Sequence, residues 1–353
     1  FVISGFCIHL QWAKSRAAGV ERQIEFGSFW RRRLRRLYPP YLIAFALFML
    51  MAAATTGINI THFFVYDVVM HLLMLHNLEP QTCYSINGVF WTLAVEEQLY
   101  LAYFLLLFLR KRWGWRRTLL VCMAVRVGWF IFSHWVWVFA GKGVPVPEAA
   151  ASHWFTWALG AIAVEATFGL VTLPSWCRNI WLGAISVVAA SAFATWLPSI
   201  PKDTLAHDIP WLLIHPLWGF GFFVIINRAV AAEHLWTQAP TLGMVRRLLT
   251  RILGAAAAIG VFSYSLYLTH ELVVMASWTF TVRELSPIVN ALAIVVPATV
   301  GFAWLFFRYC ERPYMRKPPL KASEVQERFV RNYREEESGP VFVQTLPAVA
   351  DEA

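Results

Sequence analysis

A chain of 353 residues that is 58% hydrophobic and only 14% charged has too little polar side chain to coat a water-facing surface, since soluble domains carry about 25% charged residues and large exposed apolar patches mark contact with something other than water. The formal net charge is +9, but the basic residues stand in short clusters between apolar stretches, as the inner-face bias of membrane-protein loops predicts. That pattern argues against a nucleic-acid partner. The five cysteines, Cys7, Cys83, Cys122, Cys177 and Cys310, show no paired spacing, so neither a disulfide framework nor a zinc site is expected.

The chain opens without an initiator Met on an apolar run, 1–12. This is too short to cross ~30 Å of hydrocarbon, and it reads as a span truncated at its N-terminus, with no signal peptide. The basic loop 14–36 follows and is placed on the cytoplasmic side. Spans are expected near 41–54, 89–109, 119–140, 153–172, 180–198, 210–227, 253–278 and 288–307, each a helix because lipid offers the backbone no hydrogen-bond partners. A short or interfacial helix is expected near 62–75. The sum is an all-α, polytopic transmembrane helix bundle with about nine spans, one of them partial. Beyond Lys317 the composition changes. Residues 318–353 are rich in charge or without periodicity, and read as a partly disordered cytoplasmic tail.

Charges inside apolar spans are costly, roughly 2.5–3.5 kcal/mol each on insertion scales, and so point to sites. Glu96 and Glu97 lie in Trp91-Thr92-Leu93-Ala94-Val95-Glu96-Glu97-Gln98-Leu99-Tyr100. Neighbouring helix positions diverge by about 100°, so the two carboxylates are expected to meet different partners. Between 31 and 36 every basic position is arginine, which offers phosphate a two-pronged donor that lysine lacks. That cluster suits either a phosphorylated cofactor or lipid headgroups. Ser263, Tyr267 and His270 share one helical face, and His270 suits either proton transfer or plain packing. His71 and His76, five apart, have a poor spacing for one face. No metal site is expected, and no glycine-rich phosphate loop or nucleophile elbow is found.

Taken together, five stretches resemble the acyltransferase 3 family of membrane acyltransferases, which includes glycan O-acetyltransferases. They are Phe1-Val2-Ile3-Ser4-Gly5-Phe6, Arg33-Leu34-Arg35-Arg36-Leu37-Tyr38-Pro39, the Trp91–Tyr100 segment, Ser263-Tyr264-Ser265-Leu266-Tyr267-Leu268-Thr269-His270, and Glu311-Arg312-Pro313. The resemblance implies ten helices with both termini cytoplasmic, hence a transmembrane domain over 1–317 with the first family helix missing. The main catalytic histidine of the family lies on that helix, so the fragment alone is expected to be inactive. For the residues present, the resemblance implies that Arg33 and Arg36, with Arg32 and Tyr38, hold the phosphates of an acyl-CoA, most simply acetyl-CoA. Glu96 and His270 become supporting catalytic groups. Trp91, Glu97, Tyr100, Tyr264 and Tyr267 line the core or acceptor side, and Ser4 and Gly5 belong to a close-packed helix. The implied reaction moves an acyl group from cytoplasmic acyl-CoA to a hydroxyl of a cell-surface or exported carbohydrate, in the bacterial inner membrane. The competing reading is a proton-coupled transporter with Glu96 and His270 as its relay, although no inverted repeat or pair of broken helices supports it. A membrane glycosyltransferase has no specific feature in its favour.

Overall fold

The computed structural model describes residues 1–315 apart from 21–23, 56, 58–60, 142–147, 200–204, 239–242 and 278–285. The tail expected at 318–353 lies outside the described residues, as do most of the expected outer loops. Residues Phe1–Pro313 form one compact unit. Among the described residues every regular element is helical.

The order along the chain is α1 (Val2–Ala17), α2 (Phe26–Thr55), α3 (His62–Leu72), a 3-10 turn at His76–Leu78 and α4 (Pro80–Cys83). There follow α5 (Trp91–Ala140), α6 (Ala150–Thr167), α7 (Ile180–Trp196), α8 (Leu205–Gln238), α9 (Gly243–Val261) and α10 (Ser263–Ser277). The last part is α11 (Pro287–Asn290), a π-helical stretch Ala291–Val295, α12 (Val296–Phe306) and a π turn at Phe307–Glu311. Every expected span coincides with helix, and the expected short helix is α3. The long element α5 is two helices joined at Gly114, whose φ of 73° and ψ of 172° leave the helical region at a position that glycine tolerates. The break falls among Arg110, Lys111, Arg112, Arg116 and Arg117, where the sequence placed an inner loop.

Among the described residues, five helices are long and apolar enough to cross a membrane, or six if α9 and α10 count as one span. α1 has 16 residues, about 24 Å of rise. α6 carries His153, Thr156 and Glu165 and is almost wholly buried among its neighbours, so it needs no lipid-compatible surface. Elsewhere the outward faces are apolar. Trp181, Val188 and Leu292 are 74%, 67% and 67% exposed, as lipid contact permits and water does not.

One expected element differs. The span at 253–278 is two helices bent by 75° between Val261 and Ser263. Donors freed by the break find an acceptor: the Ser265 backbone N–H donates to Glu311 Oε2 at 3.2 Å. A buried carboxylate therefore sustains the bend.

Two apolar cores organise the bundle. One joins α1, α5, α6 and α8 around Leu99, Tyr103, Leu106, Trp157 and Ala161. The other joins α2, the start of α5, α10 and α12 around Tyr41, Phe48, Phe90, Leu268 and Phe306. In the first, α1 and α6 touch backbone to backbone. A Cβ on Gly5 would lie 2.0 Å from the Trp157 carbonyl oxygen, and one on Gly160 would lie 1.9 Å from that of Val2. The expected close packing at Gly5 thus has its partner in α6, and Ser4 accepts a hydrogen bond from Trp157 Nε1 at 3.3 Å. Pro216 inside α8 has no N–H for the Leu212 carbonyl. Buried Arg126 supplies that donor through Nε at 3.1 Å and Nη2 at 3.0 Å.

Candidate functional site

The chain brings its best-placed charges together where α1, α2, α5 and α10 approach one another. Phe29 and Arg33 are one helical turn apart on α2. Half-buried Arg33 lies 5.6 Å from the ring centroids of both Phe29 and Tyr100, so two aromatic faces hold the guanidinium, each contact worth about 0.5–2 kcal/mol. Glu96, also half-buried, accepts a hydrogen bond from the Tyr100 hydroxyl at 3.0 Å across one turn of α5. Glu97 is buried, and its Oε2 has no hydrogen-bond partner among the described residues. Its charge is felt by Tyr38 and Tyr264, and it feels Glu96 and Arg33. Glu96 acts on Cys7 of α1. Both neighbouring carboxylates reach Tyr264 of α10, Glu96 also bearing on Cys7 of α1 and Glu97 on Tyr38 of α2.

The remaining expected residues are distributed around this centre. Tyr264 donates to the Leu37 carbonyl at 2.8 Å, which ties α10 to α2. Tyr267 donates to the Val89 carbonyl at 2.8 Å and is also hydrogen-bonded to Thr92, which ties α10 to the start of α5. His270 Nδ1 donates to the Tyr267 carbonyl at 2.8 Å, since a carbonyl can only accept. Trp91 turns toward α6, with its ring 6.0 Å from that of His153. Tyr38 donates to the Leu72 carbonyl at the end of α3. Arg32 and Arg36 are exposed, and Arg36 bears electrostatically on Cys7 and Glu311.

Three arrangements escaped sequence reasoning. The first is a buried knot around Glu165. Its Oε1 accepts from His9 Nε2 and Arg110 Nε, both at 2.9 Å, and its Oε2 accepts from Arg110 Nη2 at 2.7 Å and Trp115 Nε1 at 2.8 Å. Arg110 also lies 4.8 Å from the Trp12 ring centroid. A lone glutamate inside the apolar run 150–167 was the available signal. The second is His71 and His76, whose rings stack 4.0 Å apart, nearly parallel. Their spacing of five suits no single helical face, but α3 ends between them and Met74, with φ of 56°, folds the chain back. Asp67 Oδ1 lies 3.2 Å from His71 Nδ1. The third joins the segment before α5 to the segment before α6, where the Tyr84 hydroxyl donates to Glu148. Burial pushes that carboxyl above its ordinary range. Among the described residues no three His, Cys, Asp or Glu side chains are grouped to hold a metal ion.

Comparison with known proteins gives a family match over most of the chain: the acyltransferase domain family covers residues 1–308. Over 149 residues the chain is 28% identical to nodulation protein 10 of Rhizobium leguminosarum bv. viciae. That stretch is 38% of this chain and 38% of the relative. No solved structure matches.

Proposed function

The chain belongs to the acyltransferase domain family matched over residues 1–308, and from that premise we propose that it transfers an acetyl group from acetyl-CoA to a sugar hydroxyl of a cell-surface or exported glycan. The observation that carries the donor side is Arg33 fixed between two aromatic rings beside Glu96 and Glu97. A ring face engages a guanidinium without consuming its in-plane N–H donors, and such donors match phosphate oxygens in pairs. Arg36, Arg32 and Tyr38 extend the same cationic end of α2 along the nucleotide portion of the donor. The thioester then points toward Glu96.

In the reaction the acceptor hydroxyl gives up its proton and its oxygen attacks the thioester carbonyl carbon. A C–O bond forms and the C–S bond breaks, and coenzyme A leaves as a thiolate that takes up a proton. Glu96, oriented by Tyr100, is proposed to hold or move a proton in this exchange, as general acid–base catalysis requires. His270, held through Nδ1 on the Tyr267 carbonyl, is assigned a supporting part. On the acceptor side, the segment between α2 and α5 exposes Tyr66 and Tyr84, hydrogen-bonded to Glu79 and Glu148 respectively. Rings beside carboxylates favour a sugar with its hydroxyls. The proposed setting is a bacterial inner membrane, with α2's arginines and the C-terminus facing the cytoplasm.

The test is transfer of labelled acetyl from acetyl-CoA in membranes containing the chain, with Arg33→Ala and Arg36→Ala compared to the unaltered protein. Each substitution is expected to weaken donor binding by about 1.5–3 kcal/mol, the worth of a charged hydrogen bond, or roughly 10- to 150-fold in Kd. Unchanged donor affinity in both variants removes the arginines from this role. An unaltered protein with no affinity for coenzyme A thioesters removes the donor itself.

A further inference from the structure

The 75° bend between α9 and α10 ends the line of α9, so α10 is placed by its own contacts. Those contacts include a single polar stripe. Tyr264, Tyr267 and Glu271 stand at i, i+3 and i+7, on one helical face, and each reaches the main chain of a neighbour. Tyr264 donates to the Leu37 carbonyl at 2.8 Å, and Tyr267 donates to the Val89 carbonyl at 2.8 Å. Glu271 Oε2 accepts from the Gly88 backbone N–H at 2.9 Å. The last two contacts grip consecutive residues at the entrance to α5. The next N–H groups there are taken by Asn87 Oδ1, which accepts from Val89 at 2.7 Å and from Phe90 at 3.0 Å. Gly88 lies outside that cap, and Glu271 supplies its acceptor. The approach requires glycine. A Cβ on Gly88 would lie 2.7 Å from Glu271 Oε1, so a side chain there would push the carboxylate off the N–H.

This contact bears on the site through both helices. Thr92, hydrogen-bonded to Tyr267, and Glu96 lie one turn apart on the same face of α5. His270 adjoins Glu271 and is turned by the bond of its Nδ1 to the Tyr267 carbonyl. A slip of the first turn of α5 along α10 would therefore move Glu96 relative to His270.

We propose that Glu271 is a positioning residue: with Tyr267 it clamps the entrance of α5 to α10 and so sets the separation of Glu96 and His270. The consequence for the reaction rests on the parts given to Glu96 and His270 above. The clamp itself does not.

The probe is labelled acetyl-CoA, with incorporation of label followed in membranes containing the full chain. Glu271→Ala is expected to lower turnover at saturating acetyl-CoA by about tenfold or more, the scale of a small misplacement at the reacting centre. The KM for acetyl-CoA should stay unchanged, because Arg33 and Arg36 stand on α2, which the Gly88 contact does not reach. Glu271→Gln keeps an oxygen for the Gly88 N–H and is expected to retain most of the turnover. Unchanged turnover in Glu271→Ala, or an equal loss in Glu271→Gln, overturns the positioning role. A second measurement needs no activity: a thermal-stability cycle of Gly88→Ala, Glu271→Ala and the double variant. The three atoms nearest the added methyl all belong to Glu271. Gly88→Ala should therefore lower the unfolding midpoint of the unaltered chain and cost less once residue 271 is truncated, as residues in contact do not add. Equal costs in both backgrounds overturn the contact. Should the unaltered chain transfer no acetyl group, the acetyl-transfer reading fails by itself and the thermal cycle still decides the clamp.

Discussion

Replacing Glu165 should do more damage than replacing any other single charge in the bundle. Its two oxygens accept four hydrogen bonds from His9, Arg110 and Trp115. Glu165 and His9 have fully buried side chains, while that of Arg110 is 21% exposed. His9 must carry its proton on Nε2 to donate to the carboxylate, so Nδ1 accepts from the Tyr103 hydroxyl, 3.0 Å away. In Glu165→Ala a guanidinium, an indole N–H and an imidazole N–H lose their acceptor where water has little access. Removing one partner of a buried ion pair costs about 3–5 kcal/mol, against a total stability of ~5–15 kcal/mol. Glu165→Gln is the sharper test. It conserves shape, but its amide group turns N–H donors toward donors on one side of the knot, so a loss above about 2 kcal/mol is expected, the range for leaving charged hydrogen bonds unmade. Unfolding in detergent, followed by heat or denaturant, measures both variants. Exposed Arg112→Ala serves as the control and should stay within about 0.5 kcal/mol. A Glu165→Gln protein as stable as that control would refute the account of the knot.

Gly160→Ala should prevent α1 and α6 from docking, because the added methyl meets the Val2 backbone oxygen at 1.9 Å and backbone cannot yield as a flexible side chain does. The check is loss of the cooperative unfolding transition, or a fall in its midpoint larger than overpacking by one methyl normally brings, about 1–3 kcal/mol. His76, which lies between α2 and α5 and outside both, predicts a pH dependence. Burial, and secondarily the neighbouring His71, lower its pKa from 6.5 to about 3. As pH falls the unfolded chain takes the proton first, so stability should drop between about pH 6.5 and about 3, by up to ~1.4 kcal/mol per unit. The stability of the unaltered chain relative to His76→Leu should fall steadily with acidification across that window. A difference that does not change with pH would remove His76 from this role.

The fold was legible where its cause is local. Apolar length marked the helices, and Gly114 sits in the basic cluster that marked a turn, whereas the arginines of 31–36, read as loop, lie inside α2. What was hidden depends on partners far away in the chain. The His9–Glu165 contact joins positions 156 apart, and nothing about His9 in its own stretch distinguishes it from a packing residue. His71 and His76 failed a helical-spacing argument that assumes one continuous helix, and the chain reverses between them. The bend at Phe262 had no proline to announce it, and its acceptor, Glu311, comes 46 residues after Ser265 in the chain.

These hidden contacts share a physical reason. In lipid, apolar surface gives helices little cause to prefer one another, so register is set by close backbone approach and by polar contacts. The bundle uses both devices on the two sides of Arg33. Gly5 and Gly160 lock α1 to α6, and Glu165 carries that lock to Arg110 and Trp115 on either side of the break in α5. Glu311 and Tyr264 lock α10 and the last turn to α2. Arg33 and Arg36 ride on α2, and Glu96 and Glu97 ride on α5, so the distance between the cationic and acidic halves of the site is fixed by carboxylates that belong to neither. A substitution at Glu165 or Glu311 that leaves the bundle folded should therefore alter the spacing of Arg33 and Arg36 from Glu96 and Glu97.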